Sequence, residues 1–156
     1  VIVLLRVDDR LIHGQVVLGW GTALRPDRIV LADDAVASNE WERGLYAQGW
    51  PEMRITIVPV AEAARQLAGG VFEGERIILL VRNPRNVIAL MDLGLPVTAV
   101  NVGGLHFREG REKLAEGVYV DAEERAALRE LVKRGVALDG RAVAGSPAAT
   151  LNTLVV

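Results

Sequence analysis

Between Arg6 and Val16 the chain reads Arg6-Val7-Asp8-Asp9-Arg10-Leu11-Ile12-His13-Gly14-Gln15-Val16, with two arginines, two carboxylates and a histidine close together. Imidazole, with a reference pKa of about 6.5, is a competent nucleophile near neutral pH. Arg6 and Arg10 offer planar guanidinium forks of the kind that match a phosphoryl group. Asp8 or Asp9 is placed to hold the non-reacting ring nitrogen in one tautomer, or to orient an arginine. Gln15 adds an amide donor, and Gly14 lets backbone approach an anion with no Cβ in the way. The set points to phosphoryl transfer through His13. The same residue types also describe an ordinary surface histidine beside an ion pair, so types alone leave both readings open.

Such a loop needs a frame to hold it, and the flanking pattern supplies one. VIVLLRV (1–7), RIVLA (28–32), MRITIV (53–58), RIILLV (76–81) and VTAVNV (97–102) are near-continuous apolar runs of strand length. Helix-period segments lie between them. The first, from about Gly14 to Leu24, carries Val17, Trp20 and Leu24 on one face, and a segment over 60–68 turns Val60, Ala64 and Leu67 inward. Asn83-Pro84 is a cap followed by proline at the first helical position, and Asp121 to Glu124 reads as a capping box. Alternation of this kind predicts right-handed βαβ units. The expected fold is a three-layer α/β/α domain over 1–156, with a mainly parallel sheet in the order 3-2-1-4-5. Two short strands near 117–120 and 136–143 complete it. In such sheets ligands sit beyond the carboxyl ends of strands where the winding reverses, and a central first strand would put the His13 loop there.

The whole-chain balance narrows the function classes. The 156 residues carry no cysteine, which excludes disulfide frameworks, thiol catalysis and cysteine-based zinc sites. A net charge of −2 with interspersed signs argues against nucleic-acid binding, and 4% aromatic residues are too few for stacking platforms. No apolar run is long enough to cross a bilayer, and no basic stretch followed by an apolar run predicts a secretory leader.

Other polar residues compete for places in the site. Strands four and five end at Arg82-Asn83 and Asn101-Val-Gly-Gly104. Asn83 reads first as a helix cap, Arg82 as a rim residue and Gly103-Gly104 as a turn, with a direct role for either strand end left open. His106 reads as structural or rim. Asp33-Asp34 with Asp8-Asp9 could hold Mg²⁺ as in a receiver domain. Strand three, however, ends Ile57-Val58-Pro59 without a phosphoacceptor aspartate. Neither metal nor cofactor is therefore expected, and Asp33-Asp34 is assigned to capping or to orienting arginines. Trp20 and Trp41 with Leu45 have core spacing, and Trp50-Pro51 reads as a turn.

RVDDRLIHGQVV followed by Gly19-Trp20 closely resembles the opening signature of the mannose/fructose/sorbose-type IIB components of the bacterial sugar phosphotransferase system (PTS). Val100-Asn-Val-Gly-Gly-Leu-His-Phe107 and VYVDAEERAALRELVKRGVAL (118–138) resemble the same family, so the likeness spans essentially the whole chain. Leu105 stands where methionine is common, and the Gly145-Ser-Pro-Ala-Ala-Thr tail is less familiar. The resemblance implies that His13 accepts phosphate from a phosphohistidine on a IIA partner. His13 then passes it to a sugar bound by membrane IIC and IID subunits, at the cytoplasmic face of the membrane. Arg10 is then the leading phosphate-stabilising residue, with Asp8, Asp9, Arg6 and Gln15 in support, and Nδ1 the implied acceptor nitrogen. A homo-oligomer is compatible with this. Two alternatives stand beside it: a regulatory phosphocarrier using the same histidine, and a nucleotide- or flavin-binding module. The last lacks a glycine fingerprint after strand one.

Overall fold

Five of the eight strands are the apolar runs just described, and in the computed structural model, which describes residues 1–156, they form one parallel sheet with a sixth. They are β1 (Ile2–Asp8), β2 (Arg28–Ala32), β3 (Arg54–Val58), β4 (Ile77–Val81), β5 (Ala99–Gly104) and β8 (Ala137–Asp139). β6 (Glu112–Ala115) and β7 (Val118–Val120) pair antiparallel as a separate hairpin, of which only β7 was expected. β6 carries exposed Glu112 and Lys113, so it gives no apolar signal.

The three-layer α/β architecture is as expected, but the strand order is 3-2-4-1-5-8 rather than 3-2-1-4-5. Periodicity identifies a strand without naming its neighbours. β4 (IILLV) is buried at every position and inserts between β2 and β1. β1 remains interior, but its partners are β4 and β5. The end of β5 therefore lies directly beside the end of β1, pairing Arg6 with Asn101 and Asp8 with Gly104.

The chain leaves β1 as a π-helical turn, Gln15–Trp20, that runs on into α1 (Gly21–Leu24). With α2 (Asp34–Ala37) and α3 (Glu40–Gly49) it covers one face of the sheet over Ile29, Leu31, Ile78 and Leu80. α4 (Val60–Ala68), α5 (Pro84–Asp92) and α6 (Ala122–Lys133) cover the other face, over Leu5, Val7, Leu79 and Val102. The connections after β1 and β4 thus depart to opposite faces, which opens a crevice at the end of β1.

Local signals mostly behave as read. The Asn83 side chain caps α5 through Asn86 N–H, and Asp121 and Glu124 form the reciprocal capping box of α6. Gly94 adopts φ +100°, where a Cβ would be strained. The unfamiliar tail docks: Leu151 and Val155 are buried, and Leu151 N–H donates to the Leu138 carbonyl. One reading fails. Trp41 and Leu45 are 73% and 53% exposed, because α3 covers the edge strand β3 and turns Tyr46 inward instead. No helix is long and apolar enough to cross a membrane.

Candidate functional site

β1 places Leu5 and Val7 in the core on one face and Arg6 and Asp8 on the other, by simple alternation. Both polar side chains are completely buried, so each must find partners. Arg6 Nε donates to Asp8 Oδ2 at 3.1 Å, and Nη1 donates to Asn101 Oδ1 at 2.6 Å and the Arg141 carbonyl at 3.3 Å. Nη2 donates to Gln15 Oε1 at 3.2 Å. Four of the five N–H donors of Arg6 are thus spent on the protein. Arg6 is a framework cation rather than an open fork.

Asp8 is the hub. Its Oδ2 meets both Arg6 and His13 Nε2, the latter at 2.8 Å, and its Oδ1 accepts the Arg10 backbone N–H at 2.9 Å. Burial opposes ionisation of Asp8, but the bond to His13, the Arg6 charge and the Arg10 N–H outweigh it and hold the carboxyl below its usual range. Burial also draws the Arg6 guanidinium below its ordinary value, against the pull of Asp8.

The loop that returns the chain to this carboxylate is strained. Leu11 sits at φ +62° with its side chain buried, and its N–H donates to the Asp8 carbonyl at 3.1 Å. That turn brings His13 back over Asp8 with 19% of its side chain exposed. A carboxylate at Nε2 can only accept, so Nε2 carries the proton and Nδ1 keeps its lone pair. Gln15 N–H approaches Nδ1 at 3.3 Å from the first helical turn. The Gln15 side-chain oxygen Oε1 accepts from both Arg6 and Arg10, the latter at 3.0 Å. The Arg10 side chain is nearly half exposed. The geometry offers one nucleophilic nitrogen, met by the Gln15 N–H, with Arg10 joined to the same residue through its side-chain oxygen.

Of the six predicted residues, five converge: Arg6, Asp8, Arg10, His13 and Gln15. Asp9 points elsewhere. Its carboxylate takes His106 Nδ1 at 2.7 Å, His106 N–H at 3.0 Å and Arg111 Nη1 at 2.7 Å. Arg111, itself buried, continues to Glu124 of the α6 capping box at 2.9 and 2.5 Å. Burial opposes ionisation of Asp9, yet the Arg111 and His106 bonds hold it below its usual range. One oxygen from each of Asp8 and Asp9 and one His106 nitrogen lie within 4.8 Å of one another. Arg6 and Arg111 already supply the positive charge that those carboxylates need.

Gly103 and Gly104 do more than turn the chain. A Cβ on Gly103 would overlap the Arg6 guanidinium and the Arg141 carbonyl, and one on Gly104 would overlap the Asp8 carboxylate. Asn101 joins Arg6 to β8 by donating to Asp139 Oδ2 at 3.1 Å and the Arg141 carbonyl at 2.9 Å. Its signal in sequence is an amide between Val100 and Val102 in a buried strand. Arg111, Asp139 and Arg141 give no comparable signal, and Glu124 signals only its place in the capping box of α6. Arg82 and Asp33 pair at 3.0 Å, Asp33 caps α2, and Asp34 accepts Val60 N–H at the start of α4. These residues orient arginines and cap helices, as read.

Comparison with known proteins places the whole chain in one family. Residues 2–156 match the family model described as PTS system sorbose subfamily IIB component. The chain is 36% identical over 152 residues to the sorbose-specific EIIB component of Lacticaseibacillus casei, covering 97% of this chain and 93% of that protein. It is 36% identical over 156 residues to the mannose-specific EIIAB component of Escherichia coli K12, covering 99% of this chain and 48% of that longer protein. The crystal structure of the IIBSor domain of the sorbose permease from Klebsiella pneumoniae superposes with a TM-score of 0.90 at 34% identity, covering 99% and 95% of the two chains. With a buried aspartate bonded to a histidine after the first strand and these relatives along its whole length, the chain belongs to the sorbose subfamily of PTS IIB components, the sugar phosphotransferases of that system.

Proposed function

We propose that residues 1–156 act as one domain in which Nδ1 of His13 accepts a phosphoryl group from a phosphohistidine on a IIA partner. His13 then gives it to a sugar hydroxyl presented by membrane IIC and IID subunits, so that the protein works at the cytoplasmic face of the membrane through those partners. The observation that carries this is the 2.8 Å contact of Asp8 Oδ2 with His13 Nε2, which keeps the proton there and leaves Nδ1 open.

In the first step the P–N bond to the donor ring breaks as the bond to Nδ1 forms, and the electron pair returns to the donor nitrogen. The Nε2 proton stays on His13, where Asp8 stabilises the charge that the ring acquires. Gln15 N–H, freed from the lone pair, turns to a phosphoryl oxygen. Arg10 and the side-chain amide of Gln15 complete the shell, and charge placement rather than covalent chemistry does most of the work. In the second step a sugar hydroxyl attacks phosphorus and releases its proton to solvent, while the P–Nδ1 bond breaks and its electron pair returns to Nδ1. Arg6 and Asp8 position, Arg10 and Gln15 stabilise, and Asp9 fixes the loop. The support for a IIA donor is the mannose-specific EIIAB component of Escherichia coli K12, of which this chain matches 48%.

Incubation with phosphorylated IIA should give an acid-labile phosphohistidine whose ³¹P shift identifies the Nδ1 isomer. Equal labelling of His13→Ala overturns the acceptor assignment. Transfer onward to sugar only in membranes containing IIC and IID supports the transport role, and stable phosphoprotein in their presence overturns it in favour of a regulatory carrier.

A further inference from the structure

Five residues of α-helix turn the chain through about 500°, so residue i+5 lies roughly 140° around from residue i. On that geometry Gln15 and Trp20 would face different neighbours. The segment Gln15–Trp20 is instead π-helical, with Gly21 N–H donating to the Val16 carbonyl five residues back. The wider turn brings both side chains onto Arg6. Gln15 Oε1 accepts from Arg6 Nη2 at 3.2 Å, and the Arg6 guanidinium carbon lies 5.7 Å from the centre of the Trp20 ring.

Trp20 is 3% exposed and fastened at its far end, where indole Nε1 donates to the Ala142 carbonyl at 3.1 Å. Arg141, whose carbonyl accepts from Arg6, also lies over the same ring at 5.4 Å. A ring tied to the segment after β8 therefore presents its face to a buried cation. Arg6 and His13 share one oxygen of Asp8, at 3.1 and 2.8 Å, so any rotation of the guanidinium moves the acceptor that orients the imidazole.

We propose that Trp20 is a positioning residue for phosphoryl transfer: its indole face, delivered by the π-helical turn, fixes the Arg6 guanidinium, which fixes Asp8 and through it the tautomer and orientation of His13. This rests on His13 as the acceptor. A side chain that only filled space could be replaced by an aliphatic one of similar bulk, whereas a cation held on a ring face could not.

The test compares Trp20→Phe with Trp20→Leu and Trp20→Met in the full chain, using phosphorylated IIA as donor. Phe keeps a ring face and loses the indole N–H, and should transfer within about threefold of the parent rate. Leu and Met should lower kcat about tenfold. KM for phosphorylated IIA should not change, because Trp20 is buried. The ¹⁵N shifts of His13 should move toward a mixture of tautomers in the same two variants. Parent rates and parent ¹⁵N shifts in a folded Leu or Met variant overturn the proposal, as does a Phe variant impaired as much as Leu. Should neither aliphatic variant fold, fluorinated tryptophans at position 20, with Trp41 and Trp50 changed to Phe, decide the matter. A stepwise fall in kcat with added fluorine supports the proposal, and a flat series overturns it. Labelling of His13→Ala would instead remove the acceptor assignment itself, so the two failures are distinguishable.

Discussion

His13 gains its chemistry from two opposed contacts, a carboxylate at Nε2 and a backbone N–H at Nδ1. Asp8→Asn keeps the shape but removes the charge that fixes the tautomer and balances Arg6. It should lower transfer by on the order of a hundredfold or more, in single-turnover assays, while leaving docking of IIA intact. Arg10→Ala tests the open fork. Its side chain is nearly half exposed, so stability should change by less than about 0.5 kcal/mol. Phosphoryl transfer should fall by roughly 10²-fold or more, because a charge aimed at the transferring group is lost. Chemical denaturation beside a rapid-quench assay separates the two effects. Gly104→Ala tests close packing, since its Cβ would meet the Asp8 carboxylate. A cost of about 1–3 kcal/mol in urea denaturation, with slowed transfer, is expected.

At the scale of elements, the loop after β1 is held from both sides. The first helical turn and Gln15 grip one side, while Asp9 ties the other through Arg111 to the capping box of α6. Arg111 serves two carboxylates, and removing it leaves Asp9 and Glu124 without their shared cation. Arg111→Ala should therefore cost about 3–5 kcal/mol of stability. Amide exchange should quicken both in the 104–111 segment and at the start of α6. Exchange confined to 104–111 would argue against a continuous tie. The strain at Leu11 fits this arrangement, because a left-handed non-glycine residue persists only where its surroundings hold it.

For the whole molecule, the same network sets the response to acid. Asp8, Asp9 and Asp139 all have folded-state pKa values held below the reference value of 3.8. In each case burial opposes ionisation and hydrogen bonds outweigh it, led by His13 at Asp8, Arg111 at Asp9 and the Ala149 backbone N–H at Asp139. A depressed carboxylate contributes stability that is fully present above its unfolded pKa and is lost as pH falls through the folded one. The urea midpoint should therefore hold between about pH 7 and 5 as far as these groups go, then drop below about pH 4. A midpoint that rose on acidification below pH 4 would contradict the sign.

Much of this was legible in the chain. Apolar runs and capping residues located the main-sheet strands and the helix starts at Asn83 and Asp121, because strand alternation and caps are local rules. The Arg6–Gln15 segment announced its chemistry for the same reason, since its residues are neighbours in sequence. What required the tertiary structure was everything decided by which elements become neighbours. The position of β4 between β2 and β1 set Asn101 and Gly104 beside Arg6 and Asp8, a pairing that no periodicity encodes. The direction of Asp9 away from His13, the exposure of Trp41 and the grip of Trp20 on Arg6 likewise follow from packing across long sequence separations. Sequence alone determined which residues could form such a site; burial, which forces each charged group to find a partner, decided which of them gather around His13.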